Sequence, residues 1–491
     1  MDDTNLAPIL DVAELRAIEA RHAGDGLMER AGAAATAVGH AMLASSRGGR
    51  VVVLAGPGNN GGDGFVVARL LRANYHDVDV VFRGDPAKLP ADARAAHRAF
   101  VSAGGASIGE PRAEAPALIV DALYGVGLTR PIEGDDAALV DWANARGAPV
   151  LALDVPSGLD AQGGGLRGSA IRATATATFI ALKPGLLMND GPDAGGIVTV
   201  HTLGLETSLA DARGRRLDWP RVSALLGDKV ARTRRNVHKG TFGTLGIVGG
   251  APGMVGAAIL AGRAAMRAGA GKVRVGFVGS APPFDPNAPE LMLGTVAAAI
   301  DGATAIVAGP GLGTDDAAAN ALRHAIGASV PILLDADALN LIAGSASLRE
   351  AVAARRSPTL ITPHPAEAAR LLTRTTADVQ RDRIGTAESL SRALHANVVL
   401  KGIGSVLAHP DGRYDINASG NPALASAGSG DVLAGIAGAL LAQGLAPDLA
   451  LRVAVCVHGA AADRLVERGV GPIGVGASEI ADATRDLLNR V

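Results

Sequence analysis

Short, wholly apolar runs alternate along the chain with longer stretches in which apolar residues return every three to four positions. Over residues 12–44 Ala, Leu and Met recur with helical spacing, and the small residues at 33–37 suit close helix packing. Val51-Val-Val-Leu-Ala then reads as a buried strand, Gly56-Pro-Gly-Asn-Asn-Gly-Gly-Asp-Gly as a loop, and 65–73 as a helix. Val78-Asp-Val-Val-Phe follows as a second strand. Two further strands end on polar groups: Leu118-Ile-Val-Asp carries Asp121 at its carboxyl end, and Val150-Leu-Ala-Leu-Asp carries Asp154 with Ser157 just beyond. The strong patterning lapses over 206–222, which is predicted to be a linker between a domain at 1–205 and a domain at 223–491. In the second domain Thr244-Leu-Gly-Ile-Val-Gly-Gly, Ala305-Ile-Val-Ala-Gly-Pro-Gly-Leu-Gly, Ile332-Leu-Leu-Asp-Ala-Asp and Leu360-Ile-Thr-Pro-His-Pro each put special residues just after a buried strand. A helix is expected at 258–268, and Val398-Val-Leu-Lys-Gly-Ile-Gly-Ser-Val-Leu reads as strand, turn and strand. The last distinctive stretch, Ala427-Gly-Ser-Gly-Asp, opens an apolar helix reaching about 441. Strand-then-helix alternation throughout predicts two α/β domains.

Composition narrows the function. Sixty-five glycines against two Trp, three Tyr and seven Phe fit tight strand-to-helix turns and alanine-packed helices. The formal net charge of -2 offers no electrostatic footprint for nucleic acid or an anionic membrane, so small-molecule chemistry is favoured. Cys456, the single cysteine, sits in Val453-Ala-Val-Cys-Val and is expected to be a buried thiol in a reducing compartment. Met1-Asp-Asp-Thr-Asn lacks the basic and apolar regions of a signal peptide, and Asp301 interrupts the longest apolar run, so a cytoplasmic protein is expected.

The candidate chemistry lies at the loop-to-helix junctions. Gly428 and Gly430 would let an anion approach the main chain at a helix start, where free N–H groups and the helix dipole favour phosphate. Asp431 repels that anion, which suits a base that takes a proton from a substrate hydroxyl; the competing reading is a helix N-cap. In the first domain Gly56, Gly58 and Gly61 satisfy a G-x-G-x-x-G dinucleotide pattern, yet two amides and a carboxylate crowd the place of the pyrophosphate. Neighbouring strand ends converge in an open α/β sheet, so Asn60, Asp121 and Ser157 are candidates to meet as hard oxygen donors for a cation; the competing reading is that each caps its own helix or turn. The arginines of Arg232-Thr-Arg-Arg-Asn read equally as a solvated charge run or as phosphate contacts.

Asn59-Asn-Gly-Gly-Asp-Gly, Asp121-Ala-Leu-Tyr-Gly-Val-Gly-Leu-Thr-Arg-Pro and Asp154-Val-Pro-Ser-Gly-Leu-Asp resemble the NAD(P)H-hydrate epimerase family, with a Rossmann-like three-layer αβα domain, across residues 9–204. The resemblance implies that Asn59, Asn60, Gly61, Gly62, Asp63, Gly125, Val126, Gly127, Leu128, Thr129, Arg130, Pro131 and Asp154 contact the hydrated nucleotide. It implies potassium (K+) at Asn60, Asp121 and Ser157. Asp121 is the first candidate for proton transfer, with Lys88 as its partner. Residues 223–491 resemble the ADP-dependent NAD(P)H-hydrate dehydratase family, with a ribokinase-like αβα fold, through Lys239-Gly-Thr-Phe-Gly, Gly309-Pro-Gly-Leu-Gly, Asp335-Ala-Asp-Ala-Leu-Asn, Thr362-Pro-His-Pro and Gly428-Ser-Gly-Asp. By motif, Ala257, Gly313, His364 and Asp431 would line the hydrate site, while Lys401, Gly402, Ile403, Gly404, Ser405 and Gly430 would hold the adenine nucleotide with Mg2+. The lead-in Ala423-Leu-Ala-Ser-Ala is bulkier than the Gly-Met-Ala-Thr-Gly-Gly type usual in that family.

The implied function is repair of NADH hydrate and NADPH hydrate: one domain interconverts the R and S epimers, and the other dehydrates the S form while ADP becomes AMP and phosphate. A homo-oligomer is implied as well. A ribokinase-like small-molecule kinase, an NAD-dependent oxidoreductase and a non-catalytic nucleotide-binding regulator are the competing readings.

Overall fold

The computed structural model describes residues 6–44, 48–209, 212–226, 232 and 235–490. Met1-Asp-Asp-Thr-Asn and, within the basic stretch, Thr233 and Arg234 lie outside the described residues. The chain divides into one compact unit at Ala7–Gly214 and another that takes Arg215–Val491 and Leu6. The division falls inside the predicted linker, but much of that stretch is regular structure: Gly214–Leu217 is a strand and Trp219–Leu226 a helix. Leu217, Val222 and Leu226 are fully buried, so apolar burial builds this segment into the second unit.

In the first unit helices α1 (Val12–Arg21) and α2 (Leu27–Leu43) precede strand β1 (Val51–Ala55) and helix α3 (Asn59–Ala73). Strand β2 (Val78–Val81), helix α4 (Ala91–Ser102), strands β3 (Ser107–Ile108) and β4 (Leu118–Ala122), helix α5 (Gly134–Ala145) and strands β5 (Val150–Leu153), β6 (Ala175–Phe179) and β7 (Ile197–His201) follow. The sheet is parallel, in the order β3-β2-β1-β4-β5-β6-β7. Side chains alternate across it. Val51, Val53 and Ala55 join Leu118 and Val120 in a core with Ala35 of α2, Phe65 of α3 and Ala93 of α4. Val52, Leu54 and Ile119 point the other way, onto Leu139 and Val140 of α5. Those two cores make the three αβα layers.

The second unit repeats the logic. Strand β8 (Thr244–Gly249), helix α6 (Val255–Arg267) and strands β9 (Lys272–Phe277), β10 (Met292–Thr295), β11 (Ala305–Ala308) and β12 (Ile332–Leu334) lead to helix α7 (Asp337–Gly344). Strand β13 (Thr359–Ile361), helices α8 (Pro365–Leu372) and α9 (Arg383–Leu394), and strands β14 (Asn397–Leu400), β15 (Val406–Ala408) and β16 (Tyr414–Asn417) come next. The chain ends in helices α10 (Ser429–Ala442), α11 (Pro447–Glu467) and α12 (Ala477–Leu488). Within the unit these strands run β16-β15-β14-β13-β12-β11-β8-β9-β10, parallel except around β15. Ile247, Val275 and Val307 pack with α6, α10 and α11 in one core, and α9 covers the other face at β14 and β15. Cys456 lies at the centre of α11, where burial pushes its thiol up to about 12. Among the described residues no helix is long and apolar enough to cross a membrane.

In each sheet the chain starts at an inner strand and turns back to its other side, between β1 and β4 and between β8 and β11. Ligands of open α/β sheets bind beyond the carboxyl ends of strands at such a reversal.

Candidate active sites

At the reversal in the first unit Gly56 follows β1 so closely against β4 that a Cβ there would lie 1.7 Å from the carbonyl of Leu123. Helix α3 then begins at Asn59, six residues before the predicted start at Phe65. The glycines explain the difference. A Cβ on Gly61 would sit 1.9 Å from the Gly56 carbonyl and one on Gly64 2.6 Å from Ala122 Cβ, so tertiary contact holds a glycine-rich turn in helix. Gly61 and Gly62 therefore pack the helix against its neighbours, while Asn59, Asn60 and Asp63 line a cavity of 970 Å³. Gly125, Val126, Gly127, Leu128 and Asp154 line it too. Thr129, Arg130 and Pro131 continue as exposed loop outside its wall.

Asp121 is enclosed. Ser157 N–H and Oγ–H donate to its Oδ2 (2.7 Å) and Oδ1 (2.6 Å), and Leu123 N–H donates to Oδ1 (3.2 Å). Burial lifts its carboxyl to about 6, against the pull of those bonds. Beside it, both amide atoms of the buried Asn60 lack a hydrogen-bond partner. A Cβ on Gly125 would lie 3.4 Å from Asn60 Oδ1, so the glycine packs directly against the buried amide. With its oxygens committed and no exposed surface, Asp121 fits a ligand better than a base that meets the substrate.

Lys88 is exposed on the short 3-10 turn Pro86–Lys88, outside the residues that line the cavity. The buried lysine of the site is Lys183, 1% exposed, just after β6. Its ammonium donates to Asp154 Oδ1, to Thr178 Oγ1 (3.0 Å) and to Phe179 O (2.6 Å). Asp154 itself sits at φ 67, a left-handed conformation unusual outside glycine. Glu19 of α1 has an exposed side chain that borders the same cavity, where partial desolvation and then the charge of Asp154 raise its carboxyl.

In the second unit α10 begins after Gly428, whose φ of 85 suits glycine. Gly430 leaves its first turn bare: a Cβ there would find Lys401 Nζ at 3.6 Å and Asp335 Oδ2 at 3.9 Å. Lys401 Nζ donates to Asp335 Oδ1 at 2.7 Å. Burial works against the lysine's charge, but Asp335, Glu367 and Asp431 outweigh it and raise its pKa. Asp431 stands in this field, its carboxyl pushed to about 6 by burial first and the Asp335 charge second, with Lys401 opposing. It makes no cap, so the N-cap reading falls: the cap residue is Gly428, and no side-chain cap bond forms there.

The other predicted residues gather around this end. Asp337 Oδ2 accepts from Gly313 N–H (2.9 Å), and a Cβ on Gly311 would lie 3.1 Å from that of Ala257, so Ala257 and Gly313 share one corner. His364 caps α8: its Nδ1 accepts from Ala366 N–H (3.1 Å), and its N–H donates to Glu367 Oε2 (2.8 Å). Burial and the charges of Lys401 and Arg370 lower its pKa. Glu367 is pushed to about 7, chiefly by burial. Thr362 Oγ1 is buried without a partner. Gly402, Ile403, Gly404 and Ser405 form a turn after Lys401, exposed at Gly402 and Ile403 and half-buried at Gly404 and Ser405, held from beneath by the buried Arg383, which donates to the carbonyls of Leu400 (3.2 Å), Lys401 (3.3 Å) and Gly404 (3.3 Å). Burial pulls that guanidinium down to about 10. The bulkier lead-in forms the turn Pro422–Leu424, capped by Asn421, whose amide donates to Asp463 (2.9 Å). Sequence reasoning missed Lys183, Glu19, Glu367 and Arg383. Only Lys183 carried a signal, a lone cation closing the apolar run 175–182.

Two α/β units, each with ionisable groups gathered at a strand-order reversal, define an enzyme with two sites for nucleotide-sized ligands. Residues 24–185 match the family described as YjeF-related protein N-terminus, and residues 245–485 match NAD(P)H-hydrate dehydratase. The chain is 41% identical over 475 residues to the bifunctional NAD(P)H-hydrate repair enzyme Nnr of Escherichia coli (strain K12), a match spanning 94% of this chain and 89% of that one. It is 39% identical over 451 residues to the protein of the same name from Coxiella burnetii (strain RSA 493 / Nine Mile phase I), with 89% and 90% covered. A solved ADP/ATP-dependent NAD(P)H-hydrate dehydratase from Bacillus subtilis, co-crystallized with ATP/Mg2+, is 30% identical over 56% of this chain and 98% of its own, at a TM-score of 0.48. The chain belongs to the bifunctional NAD(P)H-hydrate repair enzymes.

Proposed function

We propose that the first unit interconverts the R and S forms of NADH hydrate and NADPH hydrate, and that the second dehydrates the S form with ADP as phosphoryl donor, giving the dinucleotide, AMP and phosphate. The observation that carries this reading is Asp431 at the bare start of α10, beside the Lys401–Asp335 pair, its carboxyl raised towards neutrality. A base serves best when its pKa lies near the working pH.

Hydroxide leaves a ring carbon poorly, which is why a nucleotide is consumed. Asp431 takes the proton of the ring hydroxyl, whose oxygen attacks the terminal phosphorus, and the bond to the AMP oxygen breaks. The ring nitrogen's lone pair then expels phosphate, and loss of a proton from the adjacent carbon restores the dihydronicotinamide. Lys401 and the N–H groups at the start of α10 face the charge that develops on the transferring group. Among the described residues no group of three or more His, Cys, Asp or Glu is placed to hold a metal, so Mg2+ is expected to ride on the phosphates. In the first unit the unpaired amide of Asn60, with Asp121 and Ser157, fits K+, which would supply fixed positive charge to the crevice. A cytoplasmic homo-oligomer belongs to the same proposal, and sedimentation of the purified chain tests the assembly.

The test is recovery of the dihydronicotinamide absorbance from mixed R and S hydrate with ADP. Complete recovery by the wild type and none by Asp431→Ala supports the reading. No recovery with ADP or ATP sinks it and turns attention to kinase substrates.

A further inference from the structure

Four ionisable groups of the first unit act on one another across its cavity: Glu19 from α1, Asp63 from α3, Asp154 beyond β5 and Lys183 beyond β6. One of them is fully committed and one in part. Lys183 has three ammonium hydrogens and three acceptors, so none remains for a substrate. Asp154 Oδ1 accepts from that ammonium, from Phe179 N–H (3.2 Å) and from Thr178 Oγ1 (3.3 Å), and these bonds fix its strained backbone. Asp63 differs. Its carboxyl lines the cavity and makes no hydrogen bond or ion pair among the described residues. We infer that Asp63 is the acid that protonates the departing hydroxyl during epimerisation, and that Glu19 and the Lys183–Asp154 pair are the positioning groups that hold it in that role.

Electrostatics agree with the geometry. Burial raises the Asp63 carboxyl well above the usual range, the charges of Asp154 and Glu19 raise it further, and Lys183 opposes them. A raised carboxyl pKa favours the protonated form, the form a proton donor needs. Asp121, closed in by Ser157 and Leu123, has no comparable access. Arg16, His22, Glu29, Asp92 and Tyr124 also line the cavity.

The step balances without an oxidant or a further reactant. The Asp63 proton passes to the hydroxyl oxygen, the C–O bond breaks with both electrons on oxygen, and water departs. The lone pair of the ring nitrogen forms a double bond to the same carbon, giving a cation that faces the new Asp63 carboxylate. Water adding to the opposite face returns a proton to the cluster, and the nitrogen regains its pair.

This inference rests on the epimerase reading of the first unit, and one assay separates the two. The full chain is given the R hydrate with potassium and no nucleotide, and formation of the S hydrate is followed chromatographically across pH. Asp63→Asn is expected to lower kcat by about 100-fold or more with KM within about threefold, the size of a lost general acid. Glu19→Gln removes a charge that raises Asp63, so the alkaline limb of the profile should move to lower pH while the rate below it persists. Asp63→Asn turning over within about threefold of the wild type overturns the assignment, as does an unmoved limb in Glu19→Gln. A wild type that leaves the R form unchanged overturns the epimerase reading itself.

Discussion

Gly430→Ala separates a phosphate site from a packing site. A methyl there would stand 3.6 Å from Lys401 Nζ and 3.9 Å from Asp335 Oδ2, ordinary contacts that the folded chain admits. Alanine also favours helix over glycine by up to about 1 kcal/mol, which in a domain of this size raises Tm by up to about 2–4 °C. The same methyl covers the N–H groups at the start of α10, which a phosphate oxygen must approach to about 2.9 Å. KM for ADP should therefore rise at least about tenfold, equivalent to about 1.4 kcal/mol, while epimerisation is unchanged. Steady-state dehydration of S hydrate at varied ADP and a thermal melt measure both sides. An unchanged KM would refute phosphate binding at this helix start, and a fall in Tm would refute the packing argument.

Asp431→Asn should lower dehydration by about 10²–10⁴-fold, and in the wild type the rate should fall as pH drops through about 6, because the base must be ionised; a flat profile between pH 5 and 7 counts against Asp431. Asp121→Asn should raise the potassium concentration needed for epimerisation, and a loss that no potassium restores would favour proton transfer by Asp121 instead. Asp415 is fully buried between Arg452 Nε (2.7 Å) and His409 Nε2 (2.8 Å). Burial opposes its charge, but those partners win and lower its pKa. Its stabilisation is therefore present above about pH 4, the unfolded value, and is lost as pH falls through the lower folded one. Arg452→Met should cost about 3–5 kcal/mol in urea unfolding at neutral pH, and a cost below about 1 kcal/mol would show that the buried charge is compensated elsewhere.

The strand ends were legible because a parallel strand buried on both faces is a continuous apolar run, and whatever polar residue closes it is conspicuous. That is how Asp121, Asp154, Asp335 and His364 stood out. The start of α3 was hidden because Gly61, Gly62 and Gly64 read as loop by propensity, while their purpose is backbone contact with Gly56, α4 and Ala122. Lys88 was drawn in by a loose local match, whereas Lys183 owes its place to Thr178 and Phe179 on the preceding strand and to Asp154 from another, a convergence that sequence spacing does not express. Glu19 lies on the exposed side of its helix, as its place in the sequence suggests, and only the fold sets that side against the cavity. Charge balance is likewise a property of the fold: Asp63 and Glu367 have ordinary neighbours in sequence and unusual ones in space.

Where α6 and α10 cross, a Cβ on Gly435 would come within 2.1 Å of the Ala261 carbonyl, so the two helices meet backbone to backbone. Asp431 lies one turn before that contact on its helix, and Ala257 one turn before it on the other. The contact acts as a pin sunk in the core: it sets how far Asp431 stands from Ala257, and neither can drift alone. Enlarging residue 435, buried in the helix crossing, would force the two helices apart, and on the proposed roles it is expected to slow turnover before it changes KM.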